Sequence, residues 1–183
     1  MGEFPTLRTE RLVLRAFKLS DAPDVQRMAG AREIASPTIN IPHPYEDGMA
    51  ELWISSHRGA FERGELVPLA ITLSAEGTLL GAISLGLDQS HERAELGYWI
   101  GVPYWGQGYC TEAARAILGY GFEVLGLHRI HSSHFARNPA SGRVMQKLGM
   151  TREGCLRHHV KKWDAFEDLA VYGLLREEWE AMT

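Results

Sequence analysis

The stretch Glu95-Leu96-Gly97-Tyr98-Trp99-Ile100-Gly101-Val102-Pro103-Tyr104-Trp105-Gly106-Gln107-Gly108-Tyr109-Cys110-Thr111 decides the fold. Its first six residues are aromatic and branched enough for a β-strand, and Gly101-Val102-Pro103 ends it. Gly106 and Gly108 then flank Gln107 in a loop whose backbone can fold tightly and come close to a ligand. From Thr111 the pattern is helical: Ala113, Ala116, Ile117, Tyr120 and Val124 fall on one face, with Glu112, Arg115 and Glu123 on the other. A helix start leaves backbone N–H groups unpaired and carries partial positive charge, so the junction suits an anion such as a pyrophosphate. A short Gly-x-Gly loop also serves simply to make a tight turn, and the junction alone leaves both readings open. Two phosphate motifs are excluded. A P-loop needs Gly-Lys-Ser/Thr where this chain has Gly108-Tyr109-Cys110, and the dinucleotide fingerprint needs a third glycine where Thr111 stands.

Outward from that stretch, strands are expected over Leu66 to Ser74 and Thr78 to Asp88, a hairpin turning at Glu76-Gly77, with Ala94 to Ile100 as the third strand of the meander. Upstream, Leu7 to Phe17 reads as a first strand. A helix then begins at Ser20-Asp21 and ends at Gly30, a proline-rich loop covers Ser36 to Pro44, and a longer helix covers about Tyr45 to Arg63. Downstream come a strand over His128 to Phe135 and a helix that Asn138-Pro139 opens and Gly149 closes. Two last strands, Thr151 to Arg157 and Asp168 to Leu175, flank a polar segment over 158–167 that reads as a loop. The order is a mixed α/β (α+β) domain with about four helices and six to seven strands, not an alternating doubly wound one.

The 183 residues fit one domain, 1–183, with a sizeable core. A hydrophobic share of 45% and a charged share of 23% are those of an ordinary globular protein, and no segment approaches a membrane span. A net charge of −4 without any Lys/Arg block argues against direct nucleic-acid binding, so a phosphate-rich ligand must be held by local donors. Cys110 and Cys155 make neither a disulfide framework nor a metal pair by spacing. With no secretory run at the N-terminus, the expectation is a reducing, cytoplasmic compartment. His128, His131 and His134 recur every three residues on a strand, which turns the middle one to the opposite face, so no metal site is expected from them.

Taken together, Gly97-Tyr98-Trp99, Trp105-Gly106-x-Gly108-Tyr109, Thr111-Glu112-Ala113, Asn138-Pro139-Ala140-Ser141 and Lys147-Leu148-Gly149-Met150 resemble the GCN5-related N-acetyltransferase (GNAT) superfamily. With Thr9-Glu10-Arg11-Leu12-x-Leu14-Arg15, they are similar to its Rim-type branch, which acetylates N-termini of ribosomal proteins. The resemblance covers nearly the whole chain. It implies the GNAT fold, a mostly antiparallel sheet splayed at the cofactor site, and acetyl-CoA as cofactor. The amides of Gln107, Gly108, Tyr109, Cys110 and Thr111 would cradle its pyrophosphate. The strand backbone at Trp99, Ile100, Gly101 and Val102 would pair with its pantetheine arm and supply an N–H for the oxyanion, and Asn138 and Ser141 would contact it where the central strands part. Homodimers are frequent among such folds. Pro103 and Met145 depart from the family pattern: the first removes a side-chain phosphate contact, the second the tyrosine that serves many members as general acid.

The acceptor implied is a protein N-terminus, with a small amine as the first alternative and a non-catalytic acyl-CoA sensor as the second. An α-amino group of pKa ~8 costs about 1.4 kcal/mol to deprotonate at pH 7, whereas a lysine of pKa ~10.4 costs about 4.6. A weak base suffices for the former. Glu95, on the strand face of Gly97 and Trp99, is the first candidate base, against a reading in which it merely pairs with Arg93 or Arg129; His134 is the second candidate. Ser141, in the first turn after Asn138, is placed to hydrogen-bond the leaving sulfur. The acceptor cleft is expected among the Ser36 to Tyr45 loop, the helix after it and the 158–167 segment, with His43, Tyr45, Trp53, His158, His159 and Trp163 available.

Overall fold

The computed structural model describes residues 2–182, and these form an eight-stranded sheet in the order β1-β2-β3-β4-β5-β6-β8-β7 with helices on both faces. The strands are β1 (Leu7–Arg8), β2 (Leu12–Arg15), β3 (Leu66–Leu73), β4 (Leu79–Asp88), β5 (Arg93–Ile100), β6 (Arg129–Phe135), β7 (Thr151–Lys162) and β8 (Ala165–Leu175). Six α-helices accompany them: α1 (Ala22–Ala29), α2 (Arg32–Ala35), α3 (Met49–Glu62), α4 (Tyr109–Gly119), α5 (Pro139–Lys147) and α6 (Arg176–Met182). All neighbouring strands run antiparallel except β5 and β6. That single parallel pair follows from the chain: α4 lies between its two strands, and a crossover of that kind returns the chain in the same direction.

The mixed fold expected from the sequence is present, with three differences. The single strand expected over Leu7 to Phe17 is two, because Thr9 turns back on Leu12: its Oγ1 accepts from the Leu12 N–H at 2.9 Å. The count is therefore eight rather than six to seven. Two short helices, α2 and α6, add to the four expected; α6 is opened by the Glu178 carboxylate accepting from the Leu175 N–H at 2.8 Å. The polar segment 158–167 is not a loop but the far end of the β7–β8 hairpin, which turns at Trp163 and Asp164. As β7 is an edge strand with exposed side chains, it carries no apolar alternation to announce it.

Strand alternation sorts the core into two layers. Leu12, Leu14, Val67, Leu69, Ile71, Leu85, Leu96 and Ile130 point to one face and pack with Ala113, Ile117, Leu118 and Phe122 of α4, together with Met145 and Leu148 at α5. Met145 is fully buried there. On the other face Val25, Met28 and Ala29 of α1 and Ala50 and Ile54 of α3 cover Ala70 and Leu79, with Trp53 and Trp99 at the margin. Truncating such a residue, as in Leu118→Ala, costs about 2–5 kcal/mol.

Candidate functional site

Strands β5 and β6 pair over only three positions, Arg93↔Arg129, Ala94↔Ile130 and Glu95↔His131. Beyond Glu95 they diverge, and the Ser132 hydroxyl spans the start of the gap by donating to the Leu96 carbonyl at 2.7 Å. On its other side β5 stays paired to β4, and the Gly101 N–H to Leu80 carbonyl bond sets the alternation. The backbone groups of Tyr98 and Ile100 therefore aim into the gap, while those of Trp99 belong to β4. The unpaired strand edge is thus that of Tyr98 and Ile100, not of Trp99 or Gly101, whose N–H is taken by Leu80. Trp105 Nε1 donates to the Ile100 carbonyl at 2.6 Å and so occupies that acceptor.

The gap is the waist of a channel of about 1030 Å³ that crosses the sheet. On one side it is lined by Gly106, Gly108 to Thr111, Asn138 and Ser141; on the other by Phe17, Tyr45, Trp53, Glu95 and Gly97. At its cofactor end Gly108 is the N-cap of α4 with φ +82°, a left-handed conformation that favours glycine. The helix starts at Tyr109, two residues earlier than the pattern suggested, so the N–H groups of Tyr109, Cys110 and Thr111 belong to its open first turn. Asn138 is the N-cap of α5 but makes no side-chain capping bond, and its side chain lines the channel instead.

The loop is held from across the sheet. Glu112, in the first turn of α4, accepts from Thr9 Oγ1 at 2.6 Å, the Arg11 N–H at 2.9 Å and Arg11 Nε at 2.7 Å. Arg11 Nη1 also donates to the Gln107 carbonyl at 3.1 Å, and its guanidinium lies 4.6 Å from the Tyr109 ring centre. Burial raises the Glu112 carboxyl pKa, but the Thr9 hydroxyl and the Arg11 amide and guanidinium outweigh it and hold the group below its ordinary value. The Thr9-Glu10-Arg11 motif is therefore a clamp on the Gly-x-Gly loop.

Glu95 and Ser141 stand on opposite faces of the sheet, either side of the waist. Ser141 Oγ lies 2.8 Å from the Tyr98 hydroxyl, which also approaches the Ser141 carbonyl at 3.1 Å. Burial first, then the neighbouring Cys110, raises the Tyr98 pKa well above its ordinary value despite the bond to Ser141, so the phenol keeps its proton. Tyr98 was missed as a candidate. The signal available was period two: residue 98 must face away from Glu95, Gly97 and Trp99 and toward the side of Ser141.

Glu95 is exposed at the mouth of the opposite half, and the pairing weighed against it is not formed. Arg93 is bonded to Asp88, and Arg129 to Glu153. Across the register from Glu95 sits His131, whose pKa burial lowers; Glu95 pulls it up, while Arg129 and Arg93 push it further down. The other candidate base, His134, is not brought to Glu95. It lies on the Ser141 side under α5, with Nδ1 2.8 Å from the Phe135 carbonyl and Nε2 buried against Gly142. Burial pushes the Cys110 thiol up to about 12, so it is an un-ionised packing residue.

Of the expected acceptor residues, Tyr45 and Trp53 line the channel. His43 instead pairs with Trp163 where the hairpin tip meets the 36–44 loop, and Lys162 Nζ donates to the Ile41 carbonyl of that loop at 2.7 Å. His158 and Phe166 stack on the hairpin, outside the channel. Among the described residues no helix is long and apolar enough to cross a membrane, and no three metal-ligating side chains cluster.

A family model described as an acetyltransferase (GNAT) domain matches residues 11–151. The uncharacterized N-acetyltransferase YnaD of Bacillus subtilis is 31% identical over 173 residues, 94% of this chain and 98% of that protein. Among solved structures, a GNAT-family acetyltransferase from Bacillus anthracis superposes with a TM-score of 0.85 at 28% identity, covering 95% of this chain and all of that one. Mycobacterium smegmatis RimJ in complex with CoA-disulfide has the same fold, with a TM-score of 0.83 at 23% identity over 95% of this chain and 87% of its own.

Proposed function

The chain belongs to the acetyltransferase (GNAT) family, and we propose that it transfers acetyl from acetyl-CoA to the α-amino group of a peptide N-terminus. The protein is an N-acetyltransferase. Acetyl-CoA fits the channel's cofactor end: the left-handed Gly108, the open first turn of α4 and the unpaired β5 edge are what a pyrophosphate and an amide-bearing arm require. When bound, it supplies an acetyl group activated as a thioester. The amides of Tyr109, Cys110 and Thr111, with Gln107 and Gly108 before them, bind phosphate oxygens. Tyr98 and Ile100 would orient the arm, and the Ile100 N–H would be the donor available to the acetyl oxygen. Asn138 contacts the same arm from α5.

One observation carries the catalytic reading: Glu95 faces the acceptor half of the channel while the Tyr98–Ser141 hydroxyl pair faces the cofactor half, with the waist between them. Glu95 takes the proton that an ammonium must lose, and the hydroxyl pair holds a proton where a thiolate departs. A low-pKa α-amino group matches this weak, solvated base. The test is thiol release from acetyl-CoA with N-terminal peptides, spermidine and small amines, for wild type and Glu95→Gln. Peptide turnover that falls about a hundredfold or more in Glu95→Gln, with acetyl-CoA affinity retained, is the expected result. Turnover of spermidine alone, or an unimpaired Glu95→Gln, would refute the assignment.

A further inference from the structure

The acceptor half of the channel is lined by small residues beside Glu95. Register sets Gly86 opposite Glu95 and Ser84 opposite Gly97, so three small residues form the floor beside the carboxylate. Above them stand Phe17, Tyr45, Trp53 and Trp99. Trp53 sits edge-on to Phe17 and His57, with ring centres 5.0 and 4.3 Å apart. His57 is 4% exposed, and burial lowers its pKa to about 4, so this wall carries no charge at neutral pH. A Cβ at Gly86 would meet nothing closer than the Glu95 carbonyl at 3.9 Å, in regular strand conformation. The position therefore has room for a side chain and is compatible with one, yet it is left bare.

We propose that the amine accepted here carries a large apolar or aromatic group on the carbon beside its nitrogen, and that Gly86 sets the size limit. The proposal rests on the acetyl-transfer reading and names its substrate class. The ammonium lies against Glu95, and the apolar group fills the space between the Ser84–Gly86–Gly97 floor and the aromatic walls. In the transfer, the ammonium gives one proton to Glu95, which passes it to solvent, and the neutral nitrogen forms the N–C bond to the acetyl carbon as the C–S bond breaks. The nitrogen's second proton goes to the freed Glu95 carboxylate, and the departing thiolate, hydrogen-bonded by the hydroxyl pair, takes its proton from solvent. The same chemistry is presented by a peptide beginning with Phe, Leu or Tyr and by a free arylalkylamine.

The experiment measures kcat/KM for tetrapeptides beginning with Phe, Leu, Ser or Ala, and for phenethylamine, with wild type, Gly86→Ala and Gly86→Val. The expected result is a Phe-over-Ser preference of about tenfold or more in wild type, collapsing about tenfold in Gly86→Val and by less in Gly86→Ala. Unchanged acetyl-CoA affinity in both variants locates the effect on the acceptor side. Phenethylamine turned over as well as the Phe peptide assigns a free amine; peptide alone assigns an N-terminus. A Ser or Ala preference, or a Phe/Ser ratio that neither variant moves, overturns the size proposal and leaves acetyl transfer standing. No turnover of any amine by a protein that binds acetyl-CoA overturns both. Should Gly86→Val fail to fold, the Gly86→Ala ratio and Trp53→Ala, expected to raise KM for the Phe peptide above that for the Ser peptide, decide the matter.

Discussion

Replacing Glu112 with Ala lowers the melting temperature by about 4–12 °C and weakens acetyl-CoA binding in the same variant. Three donors converge on this carboxylate: the Thr9 hydroxyl, the Arg11 N–H and the Arg11 guanidinium. The Arg11 side chain is 43% exposed against 18% for Glu112, so the guanidinium contact counts as a screened surface pair of about 0–1 kcal/mol. The other two, made to a mostly covered carboxylate, contribute about 1 kcal/mol each, so the clamp is worth about 2–3 kcal/mol. For a chain of this length each kcal/mol moves the midpoint by about 2–4 °C. The sign with pH follows from the depressed carboxyl. Its contribution is complete above the ordinary pKa of 4.5 and is lost as pH falls through the lower folded value. Thermal unfolding at pH 7 and at pH 3.5, with and without acetyl-CoA, is the assay. Wild type and Glu112→Ala should differ at pH 7 and converge toward the acid end. Equal midpoints at pH 7, or an equal acetyl-CoA shift in both proteins, would show that the β1–β2 turn does not hold the loop.

Three other outcomes are expected. Ser141→Ala and Tyr98→Phe each reduce kcat by about tenfold to a hundredfold with little change in acetyl-CoA affinity, and the double variant loses much less than the product of the two, because the hydroxyls act as one pair; independent, multiplicative losses would separate them. Iodoacetamide at pH 8 should label the exposed Cys155 and spare the half-buried Cys110, whose thiol is held neutral, so rapid alkylation of the native protein at Cys110 would contradict its raised pKa. The neutral His57, lowered from 6.5 to about 4, binds fewer protons folded than unfolded between those values. Its contribution, about 3 kcal/mol, is present above pH 6.5 and lost on acidification toward 4. His57→Phe should flatten that part of the stability–pH curve, and an unchanged acid limb would mean that another group produces it.

Much of the fold was legible because the responsible forces are local. The glycine-punctuated junction, the meander and the Asn138-Pro139 helix start all follow from residues a few positions apart. What escaped depends on partners distant in sequence. Arg11 meets Glu112 across 101 positions, so the Thr9-Glu10-Arg11 motif could be recognised as a resemblance but not explained. The β7–β8 extension was hidden because Arg157, His158 and His159 lie on an exposed edge, where burial imposes no alternation. At the site, Glu95 and Ser141 are candidates through the family resemblance, to which strand face and helix turn add only an orientation. That they occupy opposite sides of one channel follows from β5 and β6 parting after three pairs, which no local pattern encodes. Tyr98 is within reach of the alternation, but its hydroxyl partner Ser141 lies 43 positions away, and no local pattern joins the two.

The short β5–β6 pairing also makes the molecule two half-sheets, β1–β5 and β6–β8, stitched along a seam with few main-chain bonds. A ligand wedged into that seam touches both halves and works as mortar. At a hundredfold excess over its dissociation constant it adds about 2.7 kcal/mol to the folded state. That margin is large enough to change how long such a chain escapes proteolysis. Acetyl-CoA bound in the seam would thereby lengthen the survival of the folded chain against proteases.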